Sequence, residues 1–403
     1  MLKDKNIVLG VTGGIAAYKA VDLVSRLKKQ NANVDVIMTK GATKFVTPLT
    51  FQTLSSNPVY MDMFGEPKNY DVEHISLAER ADLFVIAPAT ANTIGKIANG
   101  IADNLLTTTV MATKSKVILA PAMNTNMYLN PIVQKNMSYL EKLGYKFIEP
   151  GTGKLACGAY GPGRMAEPID ILEFIIDSFY KKDLEGRKIV VTAGPTIEPI
   201  DPVRYITNHS SGKMGYNIAD EAQKRGAKTI LISGPTSIIP PKDVELIKVN
   251  TTVEMFNAVE KHFSDCDVLI KSAAPSDYRP EKTYSTKIKK KTNANDELNI
   301  KFVRNPDIAA HFGKVKQEQI MVGFAAETDN LLKYAEKKLK SKNFDFIVAN
   351  DVSKEGAGFK SDTNIVTIIE KDGDFIEYPK MDKSQVAKVI LDKIVSLLNT
   401  KAR

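Results

Sequence analysis

Residues 7–14 read IVLGVTGG, a short apolar run that ends in two glycines. An unbroken run of aliphatic residues is typical of a strand that is buried on both faces of a parallel sheet. Apolar residues recur at helical spacing through residues 15–29, so the segment predicts a strand, a tight turn and a helix. Similar strands are predicted at residues 34–38, 83–87 and 117–120, with helical segments between them. Strands that alternate with helices indicate a doubly wound parallel sheet.

The same pattern begins again at residues 189–194, IVVTAG, after the polar residues 181–188, which predict a linker. After a helix from about residue 215, strands are predicted at 229–233, 267–271, 320–324 and 344–349, then a β-hairpin at 364–370 and 374–378 and a helix at 383–398. The chain is therefore predicted to contain two doubly wound, Rossmann-like α/β domains, residues 1–180 and 189–403, the second with a terminal β-hairpin. Because ligands bind at the carboxyl ends of such sheets, each domain is expected to carry one site.

The composition is that of an ordinary globular protein of 403 residues, with a formal net charge of +8. A charge of this size is compatible with anionic small molecules and with nucleic acid. Two cysteines cannot build a disulfide framework, which favours a reducing compartment. No run approaches the roughly 20 apolar residues of a membrane span, and the first residues do not resemble a signal peptide. A cytoplasmic protein with no membrane partner is expected.

Three residues of the first domain form a chemically suggestive set. His74 lies in HISLA, Asn124 in PAMN and Cys157 in ACGAYGPGRM. A base, an amide that can hold a carboxylate and a thiol acid in a glycine-rich segment suit redox or proton-transfer chemistry on a small acid. Each residue alone has an ordinary alternative: a capping or surface histidine, a turn asparagine and a buried apolar cysteine.

The turn GVTGG at residues 10–14 does not fit the G-x-G-x-x-G pattern of dinucleotide-binding proteins. A strand–glycine–helix turn can still hold a phosphate on backbone N–H groups, although a plain tight turn is the alternative. Residues 82–93, DLFVIAPATANT, place small hydroxylated side chains directly after a strand, which suits a flat ring and its phosphate.

The longest motif of the second domain is GPTIEPIDPVRYITNHSSGKMG at residues 194–215. It is not a P-loop, because no Ser or Thr follows Lys213, but serines and glycines ahead of a helix can bind an anion. The segments SAAPSDYRP at 272–280, NPDI at 305–308 and GFAAET at 323–328 follow it. Lys338 and Lys342 are four residues apart and share one helix face.

A long charged segment between residues 277 and 305 contains KIKKK at 287–291. A loop of this length inside a compact domain is usually functional or mobile. The lysine run by itself is typical of a solvated face.

Together these motifs resemble the family of bifunctional phosphopantothenoylcysteine decarboxylases and phosphopantothenate–cysteine ligases of coenzyme A biosynthesis. The resemblance covers essentially the whole chain. Ile197 stands where the family often has arginine, and Pro275-Ser276 is a mild variant. The resemblance implies an FMN-dependent, flavodoxin-like decarboxylase domain followed by a nucleotide-binding ligase domain that uses CTP with Mg²⁺.

In the decarboxylase domain, the resemblance implies that FMN oxidises the CH2–SH group of the substrate, which creates an electron sink for loss of CO2, and then returns the electrons. His74 is the implied base, Asn124 the carboxylate-binding residue and Cys157 the proton donor, with Arg164 and Met165 as further substrate contacts. The implied FMN contacts are Gly13, Gly14, Thr39, Pro88, Ala89, Thr90, Asn92, Thr93 and Asp103.

In the ligase domain, the resemblance implies that the carboxylate of 4'-phosphopantothenate attacks the α-phosphorus of CTP and that the amine of L-cysteine then attacks the acyl cytidylate. The resemblance assigns Lys287 to the first transition state, Asn208 to the acyl cytidylate and Asp277 to the metal. The implied CTP contacts are Ser272, Ala273, Ala274, Asp277, Lys287, Asn305, Pro306, Asp307, Ile308, Phe324, Lys338 and Lys342. The implied substrate contacts are Arg204, Ser210, Ser211, Gly212 and Lys213.

Two other classes of protein remain as alternatives. An NAD-dependent dehydrogenase would explain two doubly wound sheets, but the sequence lacks its glycine fingerprint. A basic nucleic-acid-binding module would use the lysine run, but the aromatic residues are few and scattered. The resemblance implies small-molecule substrates, no nucleic-acid partner, and a homo-oligomer with a dimeric ligase domain and a higher assembly of the decarboxylase domain.

Overall fold

The computed structural model describes residues 2–63, 72–154, 158, 160–289, 298–327, 331–351 and 361–401. The chain divides into two compact units, Met1–Tyr180 and Lys181–Arg403. No helix among the described residues is long and apolar enough to cross a bilayer.

The first unit is built on a sheet of six parallel strands. The strands are β1 (Asn6–Val11), β2 (Asn33–Met38), β3 (Val59–Tyr60), β4 (Leu83–Ala89), β5 (Lys116–Pro121) and β6 (Lys146–Phe147). Their order is β3-β2-β1-β4-β5-β6, which is the Rossmann order. The prediction of a doubly wound, Rossmann-like sheet is confirmed.

Helices cover both faces of this sheet. They are α1 (Ala17–Lys29), α2 (Pro48–Ser55), α3 (Glu73–Arg80), α4 (Ala91–Ala98), α5 (Leu105–Ala112), α6 (Thr125–Tyr128), α7 (Pro131–Lys142) and α8 (Pro168–Ser178). Successive residues of a strand point to opposite faces, so Leu9 packs with the cluster of α1 and α8 while Val8 packs with that of α4, α5 and α7. Before α8, β7 (Gly151–Lys154) and β8 (Tyr160–Arg164) pair antiparallel and form the β7–β8 hairpin.

The second unit is built on an eight-stranded sheet of order β13-β12-β9-β14-β17-β18-β20-β21. The strands are β9 (Lys188–Ala193), β12 (Lys228–Ser233), β13 (Glu245–Lys248), β14 (Val268–Lys271), β17 (Ile320–Glu327), β18 (Phe346–Asp351), β20 (Val366–Glu370) and β21 (Phe375–Glu377). The six strands from β13 to β18 are parallel and repeat the Rossmann order. The antiparallel pair β20–β21 confirms the predicted terminal β-hairpin.

Three short strand pairs lie outside this sheet: β10 (Ile197–Pro199) with β11 (Tyr205–Thr207), β15 (Tyr278–Pro280) with β16 (Phe302–Arg304), and β19 (Thr363–Asn364) with β22 (Met381–Asp382). The helices of the unit are α9 (Lys213–Lys224), α10 (Thr252–Phe263), α11 (Ile308–Val315), α12 (Leu331–Ser341) and α13 (Lys383–Lys401). In each unit the strand order reverses beside the first strand, between β1 and β4 and between β9 and β14. This reversal opens a crevice at the carboxyl edge of the sheet, where the candidate site residues collect.

Candidate active sites

The glycine turn of the first unit packs against the loops that follow the two neighbouring strands. The Thr12 hydroxyl donates to the carbonyl of Pro88 at 2.7 Å and accepts from the N–H of Thr90 at 3.2 Å. A Cβ added to Gly13 would lie 2.8 Å from the carbonyl carbon of Gly41, so the backbones after β1 and β2 are in direct contact. Three predicted FMN-binding segments therefore meet at one edge of the sheet.

The residues at this edge fit a phosphate-bearing ligand. Helix α1 begins at Ala17, its N-cap residue Ala16 makes no side-chain hydrogen bond, and the turn before it carries no side chain at Gly13 and Gly14. Backbone N–H groups at a helix N-terminus are a ready anion site. Thr90 caps α4 and lies 3.2 Å from the hydroxyl of Thr93, so two hydroxyls stand beside the turn.

The other predicted FMN contacts lie around the same loops. Thr39 follows β2 and its N–H donates to Val11, while Ala89 is buried at the end of β4. Asn92 is exposed on α4. Asp103 is an exposed carboxylate that pairs with Lys96 at 2.6 Å, and this hydrogen bond holds the pKa of Asp103 below its usual value.

The loop that carries Asn124 is attached to the β7–β8 hairpin. The N–H of Met123 donates to the carbonyl of Gly163 at 2.9 Å. Gly163 has a φ of 132°, and a Cβ added there would overlap the carbonyl oxygen of Met123, so the contact requires glycine. Asn124 caps α6 by accepting from the N–H of Asn126 at 2.8 Å. Cys157 lies outside the described residues, between the two strands of this hairpin.

A buried lysine fixes the end of the hairpin to the first helix. Lys19 of α1 is 6% exposed and donates to the carbonyl of Met165 at 3.1 Å, and its ammonium pairs with Glu167 at 2.9 Å. The Lys19 hydrogen bond holds the pKa of Glu167 below its usual value. Arg164 also pairs with Glu167, at 2.8 Å. The side chain of Met165 is 1% exposed and packs in the core, so only its backbone is placed for the predicted substrate contact.

His74 is the second residue of α3 and is half-buried. A helix that leads into a parallel strand runs antiparallel to it, so the N-terminus of α3 lies toward the carboxyl edge of the sheet. His74 and Asn124, two members of the predicted catalytic set, therefore lie at the same edge as the glycine turn.

The second unit contains a cavity of ≈ 840 Å³ at the carboxyl edge of its sheet, called here the second-unit cavity. Most of the predicted ligase residues line it: Asn208, Ser210, Ser211, Gly212, Lys213, Ser272, Ala273, Ala274, Asp277, Asn305, Pro306, Asp307, Ile308, Phe324, Lys338 and Lys342. Lys287 and Arg204 are the predicted residues that do not line it. The sequence thus identified the segments that surround one cavity.

A buried polar network joins the segment at residues 194–215 to the segment at residues 272–280. The Glu198 carboxylate is 1% exposed and accepts from the Thr196 hydroxyl at 3.1 Å. It also accepts from the N–H and hydroxyl of Thr252, at 3.0 and 2.7 Å. The N–H of Ser276 donates to the Thr196 hydroxyl at 3.0 Å. Hydrogen bonds between buried polar groups favour a single arrangement, so these contacts hold the two motifs in a fixed relative position.

Asn305 and Asn208 are both hydrogen-bonded to the loop at residues 272–280. The side chain of Asn305 donates to the carbonyl of Ser276 at 2.8 Å, and its backbone N–H donates to the carbonyl of Asp277, also at 2.8 Å. The Asn208 amide donates to the carbonyl of Ala274 at 2.9 Å. These contacts place the amide of Asn208 directly against the loop that carries Asp277.

Helix α12 and the residue that follows it place two lysines on one side of the cavity. Lys338 donates to the carbonyl of Phe324 at 2.8 Å, and Lys342 pairs with Asp307, the N-cap of α11. Burial acts to raise the pKa of Asp307, but its hydrogen bond to Lys342 and that from the N–H of Ala310 hold the pKa below its usual value. Asp307 is therefore an ionised carboxylate that orients Lys342.

Sequence reasoning missed Lys271, the last residue of β14, which also lines the cavity. Leu269 packs with Phe312 of α11 and Leu339 of α12, and residues two apart on a strand share a face, so Lys271 faces these helices. Burial, with the nearby Lys338 charge, lowers the pKa of Lys271 to about 8. A lysine directly after a buried apolar strand and before a predicted ligand loop was the available signal.

The loop at residues 210–213 lies at the carboxyl end of β9. Gly212 has a φ of 80° and begins α9 without a side-chain cap, and a Cβ there would lie 2.7 Å from Thr236. A Cβ added to Gly215 would lie 2.6 Å from that of Ala193, so α9 packs directly on β9. The uncapped N–H groups of α9 therefore face the cavity beside Lys213, which pairs with Asp362 at 2.6 Å.

Arg204 lies beside the segment that carries Lys287. Its guanidinium pairs with Asp201 at 2.5 Å and also donates to the carbonyl of Ile288 at 3.0 Å, so its contacts lie within the chain. Lys287 is exposed. Among the residues that the structure describes, no group of three or more His, Cys, Asp or Glu side chains is arranged to hold a metal ion. Asp277 and Asp307 are the two carboxylates among the described residues that line the cavity, too few to form a protein metal cage.

Two family models together cover nearly the whole chain. The Flavoprotein model matches residues 1–180, and the DNA/pantothenate metabolism flavoprotein C-terminal domain model matches residues 184–398. The chain is 49% identical over 401 residues to the coenzyme A biosynthesis bifunctional protein CoaBC of Bacillus subtilis, and the match covers 98% of each protein. It is 44% identical over 404 residues to the protein of that name from Escherichia coli, covering 100% of this chain and 99% of the relative.

Solved structures resemble parts of the chain. The crystal structure of the C-terminal domain of a coenzyme A biosynthesis bifunctional protein CoaBC is 44% identical and covers 55% of this chain and 100% of that chain, with a TM-score of 0.47. A PPC decarboxylase variant complexed with pantothenoylaminoethenethiol is 35% identical and covers 43% of this chain and 97% of that chain, with a TM-score of 0.40.

Proposed function

Because the chain belongs to the family of coenzyme A biosynthesis bifunctional proteins, we propose that its two units divide the chemistry between decarboxylation and ligation. The enzyme has both a phosphopantothenoylcysteine decarboxylase and a phosphopantothenate–cysteine ligase activity. The flavoprotein unit, residues 1–180, performs the first and the C-terminal unit performs the second. Membership of this family argues against both alternatives, an NAD-dependent dehydrogenase and a basic nucleic-acid-binding module.

In the first unit, the cofactor is FMN, and the turn at Gly13 and Gly14 with the hydroxyls of Thr90 and Thr93 would hold its phosphate. FMN supplies reversible hydride acceptance, which allows CO2 to leave with no net consumption of electrons. The support for this placement is the uncapped start of α1 at a turn without side chains.

The protein groups at this site bind the substrate and move protons. The Oδ1 atom of Asn124 accepts from Asn126, which orients the amide so that Nδ2 is the group suited to the substrate carboxylate. His74 would take the proton of the substrate thiol, and Cys157 would protonate the carbon chain after CO2 has left. The tie between Met123 and Gly163 supports a shared site for Asn124 and the hairpin that carries Cys157.

In the second unit, the second-unit cavity would bind CTP. Lys271, Lys338 and Lys342 line it together with the uncapped N-terminus of α9, and both features favour a polyanion. The Mg²⁺ that accompanies CTP would contact Asp277 and complete its coordination with phosphate and water oxygens.

Ligation proceeds in two balanced steps. The carboxylate of 4'-phosphopantothenate forms a bond to the α-phosphorus while pyrophosphate leaves, and Lys287 would offset the negative charge that builds there. The amine of L-cysteine then attacks the acyl carbon and CMP leaves. Asn208, whose amide is held against Ala274, would fix the acyl cytidylate for this attack.

The observation that carries the proposal is the convergence of the separate ligase motifs on one lysine-lined cavity of ≈ 840 Å³. The test measures two properties of the purified full chain: visible flavin absorbance, and pyrophosphate release that requires both CTP and 4'-phosphopantothenate. We expect both. A colourless protein that does not take up added FMN would refute the proposed decarboxylase function. Pyrophosphate release that is the same with and without 4'-phosphopantothenate would refute the proposed ligase function.

A further inference from the structure

The segment that leads to Lys287 runs along the residues that precede Arg204. The N–H of Tyr284 donates to the carbonyl of Ile200 at 2.9 Å, and the Thr283 hydroxyl donates to that of Pro199 at 3.2 Å. The last described attachment is at Ile288, immediately after Lys287. The segment is otherwise exposed, so these few contacts determine where Lys287 stands.

Ile288 is held at both of its backbone polar groups by one ion pair. Its N–H donates to Oδ2 of Asp201 at 3.1 Å, and its carbonyl accepts from Nη2 of Arg204 at 3.0 Å. The two side chains bind each other through the Nε and Nη2 atoms of Arg204, at 3.0 and 2.5 Å from Oδ2 of Asp201. The backbone N–H and the backbone carbonyl of Ile288 are thus both bound by the Asp201–Arg204 ion pair.

The pair itself is rigid. The Asp201 side chain is 0% exposed, and its other oxygen accepts from the N–H groups of Val203 and Arg204 at 2.9 and 2.8 Å. The Arg204 hydrogen bond, followed by the backbone N–H groups, holds the pKa of Asp201 far below its usual value. A buried carboxylate with this many donors stays ionised and does not move, so it can serve as an anchor.

We propose that Asp201 and Arg204 are positioning residues for Lys287, which fix the backbone of Ile288 so that the neighbouring lysine is presented to the reacting phosphate. This inference rests on the proposed ligase function of the second unit. A lysine on an exposed segment must lose backbone and side-chain freedom to reach the transition state, and an anchor one residue away removes part of that loss beforehand. The pair acts through Lys287 and touches neither substrate.

The assignment makes a different prediction from the one in which Arg204 binds substrate. A substrate contact would be felt mainly in KM, whereas misplacement of a group used in the transition state lowers kcat. The Arg204 guanidinium is engaged by Asp201 and by the carbonyl of Ile288, which favours the positioning role.

The test is pyrophosphate release by the full chain with the substitutions Asp201→Asn and Lys287→Gln, singly and together. Asparagine keeps the shape of the side chain but loses the charge that binds Arg204. We expect Asp201→Asn to lower kcat about 10–100-fold, the scale of a misplaced catalytic group, and to change the KM for CTP only slightly. Because both residues act at one step, the double variant should be no slower than Lys287→Gln alone.

Asp265→Asn is the matched control. Its carboxylate is exposed and pairs with Lys188 at 2.6 Å outside the cavity, so this variant should keep normal pyrophosphate release. If Asp201→Asn fails to fold, Arg204→Lys replaces it, because a lysine cannot hold both Asp201 and the Ile288 carbonyl as the planar guanidinium does. The Arg204 side chain is 42% exposed, so this exchange leaves the core intact.

Limited trypsin digestion tests whether the Asp201–Arg204 pair holds this segment in place, and the measurement does not depend on catalysis. Loss of the pair should speed cleavage after Lys287 and Lys289, while cleavage elsewhere is unchanged. Losses in kcat that multiply in the double variant, or a raised KM with normal kcat, would overturn the positioning role. If Lys287→Gln alone releases pyrophosphate normally, the catalytic assignment of Lys287 is wrong and the positioning role falls with it, whereas faster cleavage would still reveal the anchor.

Discussion

The backbone N–H of Met123 donates to the carbonyl oxygen of Gly163 across 2.9 Å, which fastens the β7–β8 hairpin to the loop that carries Asn124. The backbone of Gly163 lies in a region that L side chains rarely adopt, with a φ of 132°. The loop that carries Asn124 and the hairpin that carries Cys157 are therefore held together by a contact that only glycine permits.

Gly163→Ala should impair decarboxylation about 100-fold, since a displacement of about 1 Å at a reacting group costs this much. The ligase reaction should continue, because the substitution lies in the other unit. The measurement is CO2 release from 4'-phosphopantothenoylcysteine. Gly153→Ala is the matched control in the same hairpin, where an added Cβ meets nothing within 4 Å. Equal rates for the two variants would show that the Met123 contact does not matter.

Cys157→Ser should stop the first unit after CO2 has left, because a hydroxyl is a far poorer proton donor than a thiol. An oxidised enethiol product, two hydrogen atoms lighter than phosphopantetheine, should accumulate and is detected by mass spectrometry. Cys266→Ala provides the control, since burial raises the pKa of that thiol to about 12 and leaves it inert. A normal yield of phosphopantetheine from Cys157→Ser would remove Cys157 from catalysis.

The affinity for CTP should depend on the charge of Lys271. Burial lowers the pKa of this ammonium to about 8, so it is largely charged at pH 7 and loses its charge as the pH rises through 8. CTP binding should therefore weaken between pH 7 and 9, by about 10-fold if one charged hydrogen bond is lost. Calorimetry on Lys271→Met should show weak, pH-independent binding over this range, and Lys271→Arg should bind well at pH 9. The same pH profile in Lys271→Met as in the parent would contradict the assignment.

Lys287→Gln should lower the rate of pyrophosphate release at saturating CTP by about 10²–10³, by analogy with the loss of one transition-state donor. Lys289→Gln is the internal control, since Lys289 lies on the other side of the anchored Ile288 and is also exposed. Similar, mild losses in the two variants would mean that the lysine run contributes only a general positive potential.

The two sheets could be predicted because their central strands are uninterrupted apolar runs followed by amphipathic helices. The edge strands β3 and β13 could not, since strands of two and four residues are too short to show a readable period. Lys271 was missed because it belongs to no motif, and its importance arises only when β14 brings it to face α11 and α12. The motif that contains Arg204 also contains its partner Asp201, but the spacing does not reveal that the two side chains pair or that Asp201 is fully buried. Local spacing thus identifies the segments of a site, but tertiary contacts decide the task of each side chain.

Complementation between two inactive variants tests the central claim most directly. The Cys157→Ser and Lys287→Gln variants are incubated with 4'-phosphopantothenate, L-cysteine, CTP and Mg²⁺, first each variant alone and then the two variants together. The products are identified by mass spectrometry. Because one unit makes the substrate of the other, each variant alone should yield little 4'-phosphopantetheine, and the mixture should restore it. If the mixture also fails, or if either variant alone forms the product at the parent rate, the division of ligation and decarboxylation between the two units is wrong.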